Sequence, residues 1–189
     1  MPTKLKEVES AILNSLYIQA LRQGQSIWFR IVSGSMCPLL RVGDAVHIQP
    51  VSPYDLHIGD IAAFETPAGL VVHRIVHMLP SVIPPRFIEM GDVTLQAQEV
   101  TVEAIAGRVI VIRRGDLLID LQRPVAKRWG GVTARLRYRL YCQYRDSKHD
   151  LVRLVVHKSA RLAARVGSAV IRCACASLER EAPALNEHA

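Results

Sequence analysis

The chain has 189 residues, of which 50% are hydrophobic, 22% are charged and 5% are aromatic, so it can bury one core of ordinary size. Its longest uncharged run, residues 10–21, is well short of the roughly 20 apolar residues that a membrane-spanning helix needs, which excludes a conventional transmembrane anchor. The net charge of +7 is uneven, because residues 1–120 carry 10 Lys+Arg against 12 Asp+Glu whereas residues 121–180 carry 14 against 3. The C-terminal third is therefore a separate basic unit, and its charge alone suits nucleic acid, anionic lipid or an acidic protein.

Helical periodicity marks the N-terminus and then stops. A first helix is predicted over residues 7–23, with Val8, Ile12, Leu16 and Ala20 on one stripe and Gly24 as its stop. Short β-branched runs then alternate with Gly, Pro and Asp, which predicts strands at 26–32, 45–49, 60–64, 70–77, 86–90 and 107–113. The chain is thus divided into an N-terminal helix at 1–25, a β domain at 26–120 and a basic helical extension at 121–189 with a flexible end.

The basic extension is predicted to form two amphipathic helices. The apolar stripe of the shorter helix is Val132, Leu136, Leu140 and Tyr144, and that of the longer helix is Leu151, Val155, Leu162, Val166 and Val170. A basic row on the longer helix, Arg153, His157, Arg161 and Arg165, is expected opposite its apolar stripe. Two interpretations stay open: the apolar sides pack onto the β domain with the basic face in solvent, or residues 150–178 contact an anionic membrane surface. DNA is disfavoured as a partner, since no reader motif is present.

Four cysteines, Cys37, Cys142, Cys173 and Cys175, are too thinly scattered for a disulfide framework, and no second ligand pair accompanies Cys173 and Cys175 to complete a metal site. We expect free thiols and no metal or other cofactor. Free thiols favour a reducing compartment, which predicts a cytoplasmic protein with or without peripheral membrane attachment.

The most informative segment is a loop of small residues after the first predicted strand, Ser33-Gly34-Ser35-Met36-Cys37-Pro38. Such a loop can expose a hydroxyl while its backbone N–H groups point into the same space, as nucleophilic catalysis requires. In isolation these serines would be ordinary turn residues. Further boxes follow in order, Gly59-Asp60-Ile61-Ala62-Ala63-Phe64, Val71-Val72-His73-Arg74, Met90-Gly91-Asp92 and Gly107-Arg108-Val109.

These boxes, in this order and over residues 27–114, resemble the type I signal peptidase superfamily, which includes the self-cleaving repressors. The resemblance implies a mainly β fold, with a signal-peptidase-like barrel or sheet as its core, flanked here by the N-terminal helix and the basic helical extension. It also implies that Ser35 is the nucleophile. The lysine base of bacterial relatives has no counterpart, because no lysine lies between Lys6 and Lys127, and Val72-His73-Arg74 looks like the Ser-His version of the family.

The expected chemistry is that of a serine endopeptidase. Imidazole titrates near neutral pH, so His73 can take the Ser35 proton and return it to the leaving amine. The resemblance implies an oxyanion hole made of the Ser35 backbone N–H and the Ser33 hydroxyl. It also implies small residues at the first and third positions before the scissile bond.

The carboxylate that would orient His73 is less well specified. We call Gly91-Asp92 of the Met90-Gly91-Asp92 box the Gly-Asp box. In Ser-His relatives the orienting aspartate lies six residues after the aspartate of this box, but that position here is Gln98, followed by Glu99. We expect Asp92 in this role, with Glu99 as the second choice and an unassisted dyad as the third. The function predicted from the sequence is cleavage of a leader or propeptide from a peptide or precursor protein, and the alternative is a non-catalytic peptide-binding module that keeps the fold.

Overall fold

The structure of the protein is a computed structural model that describes residues 2–79, 83–146 and 150–178. One antiparallel sheet dominates it, with the strand order β1-β2-β7-β3-β4-β5-β6, and two short strands extend it beyond β7. The strands are β1 (Ile27–Arg30), β2 (Ala45–Gln49), β3 (Ile61–Thr66), β4 (Gly69–Leu79), β5 (Arg86–Met90), β6 (Ala97–Val100), β7 (Ile105–Arg114), β8 (Leu117–Asp120) and β9 (Ala176–Leu178). The helices are α1 (Pro2–Arg22), α2 (Pro124–Asp146) and α3 (Asp150–Cys175).

The mainly β architecture with one N-terminal and two C-terminal helices agrees with the sequence prediction. Within the described ranges β1 and β6 lie at opposite ends of the strand order and do not pair, so the sheet is open and not a closed barrel. The six predicted strands are present, with bounds shifted by one or a few residues. The strands that sequence analysis missed are the short β6, β8 and β9, which have too few residues to display a period of two.

The N-terminal helix forms, but the predicted apolar stripe is not the side that packs. Ile12 and Leu16 are exposed, whereas Tyr17, Ile18 and Leu21 contact the main core cluster. The helix turns these larger side chains towards β1, where the Tyr17 ring meets the Phe29 ring edge-on.

The C-terminal helices pack only partly through the predicted residues. Leu140 and Tyr144 of α2 contact a core cluster as predicted, whereas the exposed members of the predicted stripes are Val132, Leu136, Val155, Leu162 and Val166. Small side chains line the contact between the two helices, since a Cβ on Gly167 of α3 would lie 2.2 Å from the Thr133 hydroxyl oxygen of α2. Gly59 has a φ of +107°, and a Cβ there would meet the backbone of Gly131, so the helix approaches the sheet at backbone distance. Larger side chains could not occupy these contacts, which is why the predicted apolar stripes on α2 and α3 are partly exposed.

Some of the sequence predictions concern residues that the structure does not describe. The flexible end at 179–189 lies beyond the described residues, and the side chains of Val8, Leu151 and Arg153 are not described. Of the helices that are described, none has the length and hydropathy needed to cross a bilayer.

Candidate active site

The loop that carries the candidate nucleophile follows β1 and is stabilised by hydrogen bonds between its own backbone groups. The Cys37 N–H donates to the Gly34 carbonyl at 3.0 Å, and the Leu40 N–H donates to the Met36 carbonyl at 3.1 Å. Met36 and Leu40 are buried and pack beneath the loop. The hydroxyl groups of the loop therefore stand on a fixed backbone.

Two arginines from distant elements hold the far end of this loop. Arg114 at the end of β7 donates to the Leu39 carbonyl at 2.8 Å and also pairs with Asp44. The hydrogen bond that Arg114 donates to Asp44 outweighs the opposing effect of burial and raises the pKa of Arg114. Arg172 of α3 donates to the Pro38 carbonyl at 2.9 Å, so the C-terminal extension also contacts the loop.

The hydroxyl of Ser35 and the imidazole of His73 meet, although 38 residues separate them along the chain. His73 lies on β4, and its Nε2 is 3.1 Å from the Ser35 Oγ. The His73 side chain keeps 19% of its surface accessible to solvent. This distance is within the reach needed for proton transfer from a serine hydroxyl to an imidazole.

The other ring nitrogen of His73 contacts a carboxylate that sequence analysis did not select. Its Nδ1 is 2.5 Å from Glu89 Oε2, and the Glu89 side chain is only 6% exposed. Glu89 lies on β5 diagonally across from His73, a position that a long side chain can span. With Nδ1–H donating to Glu89, Nε2 carries the lone pair that faces Ser35.

Neither carboxylate predicted for this role contacts His73. Asp92 is fully buried in a two-pronged pair with Arg74, at 3.0 Å and 2.8 Å. Glu99 lies on β6 and pairs with Arg86 at 2.6 Å on the surface. The prediction of Asp92, with Glu99 second, is therefore wrong as to geometry, because each of these carboxylates is already committed to an arginine.

A signal for Glu89 was present in the sequence. Residues 86–90 read Arg-Phe-Ile-Glu-Met, and in a strand Phe87 and Glu89 point to the same face. Phe87 is buried, so Glu89 also faces the core, and a buried carboxylate requires a hydrogen-bonding partner. The family pattern places the orienting aspartate after the Gly91-Asp92 pair, whereas Glu89 precedes it.

The Gly-Asp box stabilises the backbone next to the site, and its carboxylate, Asp92, pairs with Arg74 and does not contact His73. Burial works against the charge of Arg74, but attraction to Asp92 outweighs it and raises the Arg74 pKa. Arg137 of α2 donates to the carbonyls of Gly91 and Thr94, at 2.8 Å and 2.7 Å. Burial lowers the pKa of Arg137, and the nearby charge of Arg74 acts in the same direction.

Gly91 lies next to the contact between Ser35 and His73. A Cβ at Gly91 would lie 2.9 Å from the Ser35 carbonyl oxygen and 3.3 Å from His73 Nε2. The neighbouring Val93 N–H donates to the same Ser35 carbonyl at 3.0 Å. The absence of a side chain at Gly91 therefore allows Ser35 and His73 to approach each other.

Ser33 lies on the exposed side of the loop, where its Oγ is 3.4 Å from the Ser35 Oγ. Within the part of the chain that the structure describes, the Ser35 backbone N–H donates to no protein acceptor. The Ser33 hydroxyl and the Ser35 backbone N–H are thus both available as hydrogen-bond donors near the Ser35 Oγ. Two such donors can stabilise a negatively charged oxygen that develops there.

An open, mainly apolar pocket of about 190 Å³ adjoins Ser35. It lies between the loop and the start of β4, and its apolar lining is Phe29, Ile31, Val32, Met36, Leu70, Val71 and Val72. Such a pocket can accept an apolar side chain next to the reactive hydroxyl.

Two further histidines stack on aromatic rings, and the cysteines form no disulfide. The His77 ring stacks on Tyr138, and the His47 ring stacks on Trp28, where burial lowers the His47 pKa. All four cysteines are free thiols. Cys37 is exposed two residues after Ser35, with no contact to His73.

Comparison of the chain with protein-family models, with curated proteins and with solved structures gives no match.

Proposed function

We propose that the protein is a serine endopeptidase that cleaves a leader or propeptide with Ser35, His73 and Glu89. The observation that carries this proposal is one continuous chain of contacts, from Glu89 to Nδ1 and from Nε2 to the Ser35 hydroxyl, which ends beside an open apolar pocket. Alternating donors and acceptors of this kind are what an activated serine nucleophile needs.

In the proposed reaction the Ser35 Oγ attacks the scissile carbonyl carbon while its proton passes to His73 Nε2. The charge on the resulting imidazolium is balanced by Glu89, and the negative oxygen accepts hydrogen bonds from the Ser35 N–H and the Ser33 hydroxyl. His73 then protonates the leaving amine as the carbon–nitrogen bond breaks. A water molecule, deprotonated by His73, releases the acyl group from Ser35.

The residue before the scissile bond is proposed to enter the pocket lined by Phe29, Met36 and Val72. The apolar lining favours an uncharged side chain, because a charge placed there would lose its hydration without gaining a partner. Small residues at the first and third positions before the bond follow from the family resemblance and belong to this proposal.

A peptide panel tests the proposed function. We expect purified protein to cut peptides that carry alanine or another apolar residue before the bond, and not those that carry aspartate or lysine there. The new termini are read by mass spectrometry, with Ser35→Ala as the matched control. Cleavage that persists in Ser35→Ala would assign the activity to something else, and tight binding of uncut peptide by both forms would support the peptide-binding module.

A further inference from the structure

The outer surface of the α2–α3 pair carries large apolar side chains exposed to solvent. On α3, Val155, Leu162 and Val166 are 62%, 61% and 48% exposed, and on α2, Val132 and Leu136 are both 45% exposed. Scattered single apolar residues are normal on a surface, whereas a contiguous row of them marks an interaction site. We call these five residues the apolar ridge.

The α2 part of the ridge faces away from the sheet. Tyr138 marks the sheet side of α2, since its ring stacks on His77 of β4. Positions two apart in a helix point about 200° from each other, so Leu136 lies opposite Tyr138. Thr133 marks the side of α2 that touches α3, and Leu136 lies one turn further along next to that side.

The α3 part of the ridge faces the same way. Ile171 marks the core side of α3, and Gly167 marks the side that touches Thr133 of α2. Val166 lies about 140° around the helix from Ile171, and Leu162 falls one turn before it on the same stripe. Both stripes therefore lie on the outer surface of the helix pair, away from the sheet and the core.

Exposed cations border the apolar ridge on both sides. Arg128, Arg135 and Arg139 lie on the side of α2 away from α3, and Lys158, Arg161 and Arg165 lie on the side of α3 away from α2. Among the described residues, no carboxylate forms an ion pair with any of these six. We call these six residues the basic margins.

We propose that the apolar ridge and the basic margins form a docking surface for an anionic lipid bilayer. The ridge would enter the boundary between headgroups and acyl chains while the margins contact lipid phosphates, as in helices that lie in the plane of a membrane. The charge pattern disfavours a second copy of the chain, because a two-fold contact through the ridge would bring cationic margins together. Nucleic acid is disfavoured because a phosphate backbone offers nothing to an apolar centre.

Flotation of the full chain with vesicles tests this proposal. We expect binding to phosphatidylcholine vesicles that contain phosphatidylglycerol, and little binding to phosphatidylcholine alone. Each exposed cation near an anionic bilayer contributes about fivefold to affinity, so Arg161→Gln with Arg165→Gln should weaken binding by about 25-fold. Leu162→Glu with Val166→Glu should abolish it.

The matched control is Tyr54→Glu with Ile83→Glu, which places the same two charges on residues that are 69% and 95% exposed and lie outside α2 and α3, and it should bind as the unchanged protein does. Arg161 and Arg165 are exposed, so the arginine variants remain informative if the glutamate variants unfold. Equal binding to both kinds of vesicle, or binding unaffected by the arginine and glutamate changes, would overturn the proposal. A dimer in solution that Leu162→Glu dissolves would also overturn it, because the ridge would then be covered by a second copy.

Discussion

At the scale of single residues, the contact between Glu89 and His73 distinguishes this site from a chance meeting of a serine and a histidine. The buried carboxylate fixes which ring nitrogen carries the proton and leaves the other nitrogen facing Ser35. Asp92 cannot do the same, because both of its oxygens face Arg74. The three carboxylates near the site can therefore be separated by experiment.

We predict that Glu89→Gln lowers the rate of peptide cleavage by about 10²- to 10⁴-fold, because an amide neither balances the imidazolium nor fixes its tautomer. Glu99→Gln is the matched control, since Glu99 pairs with the exposed Arg86 on the surface, and its rate should be unchanged. Steady-state kinetics on the best peptide of the panel measures both. Equal rates for Glu89→Gln and the unchanged protein would remove Glu89 from the mechanism.

Gly91 provides a second test at this scale. A methyl group at this position would lie 2.9 Å from the Ser35 carbonyl oxygen and 3.3 Å from His73 Nε2, so Gly91→Ala must push the two residues apart. We predict a loss of about 10²-fold or more in kcat, because misplacement by about 1 Å is that costly. Gly34→Ala is the control within the nucleophile loop, where a Cβ meets nothing within 4 Å. Full activity of Gly91→Ala would mean that the Ser35–His73 contact is not needed.

At the scale of elements, a buried cluster joins β4, the Gly-Asp loop and α2. Asp92 is the counter-charge for Arg74 and also lies 3.9 Å from Arg137 Nε. All three side chains are almost completely buried, so the cluster costs a large desolvation penalty that only mutual pairing offsets. The basic extension is thus tied to the β region by contacts directly under Ser35 and His73.

We predict that Asp92→Asn acts on stability more than any other change near the site. It leaves two buried guanidinium groups without their counter-charge, which typically costs about 3–5 kcal/mol in the free energy of unfolding. Urea denaturation followed by circular dichroism measures this loss, and Glu89→Gln and Glu99→Gln serve as comparisons with much smaller expected losses. A loss below about 1 kcal/mol for Asp92→Asn would show that the cluster does not hold the elements together.

The helices also show why sequence periodicity did not fully predict how the elements pack. The periodicity located all three helices, but it identified only part of the faces that pack, namely Leu140 and Tyr144 of α2. On α3 the contact with α2 uses Ala160 and Gly167, whose small size a search for large apolar residues passes over. Leu162 and Val166 gave the stronger pattern and yet face solvent.

At the scale of the whole molecule, sequence patterns were sufficient for the fold class and for part of the site. Turn residues and β-branched runs located six of the strands, and the ordered boxes brought Ser33, Ser35 and His73 to one place. The open sheet could not be predicted, because closure depends on which strands pair at the ends of the order. Glu89 was missed because its partner depends on the register between β4 and β5, which local patterns do not encode.

The most direct measurement of the central claim is covalent labelling of the whole protein by a fluorophosphonate, followed by intact mass and peptide mapping. We predict addition of one phosphonyl group at Ser35, none in Ser35→Ala, much slower addition in His73→Ala and in Glu89→Gln, and unchanged addition in Glu99→Gln. Absence of labelling in the folded, unchanged protein, or equal labelling rates in His73→Ala, would contradict the account.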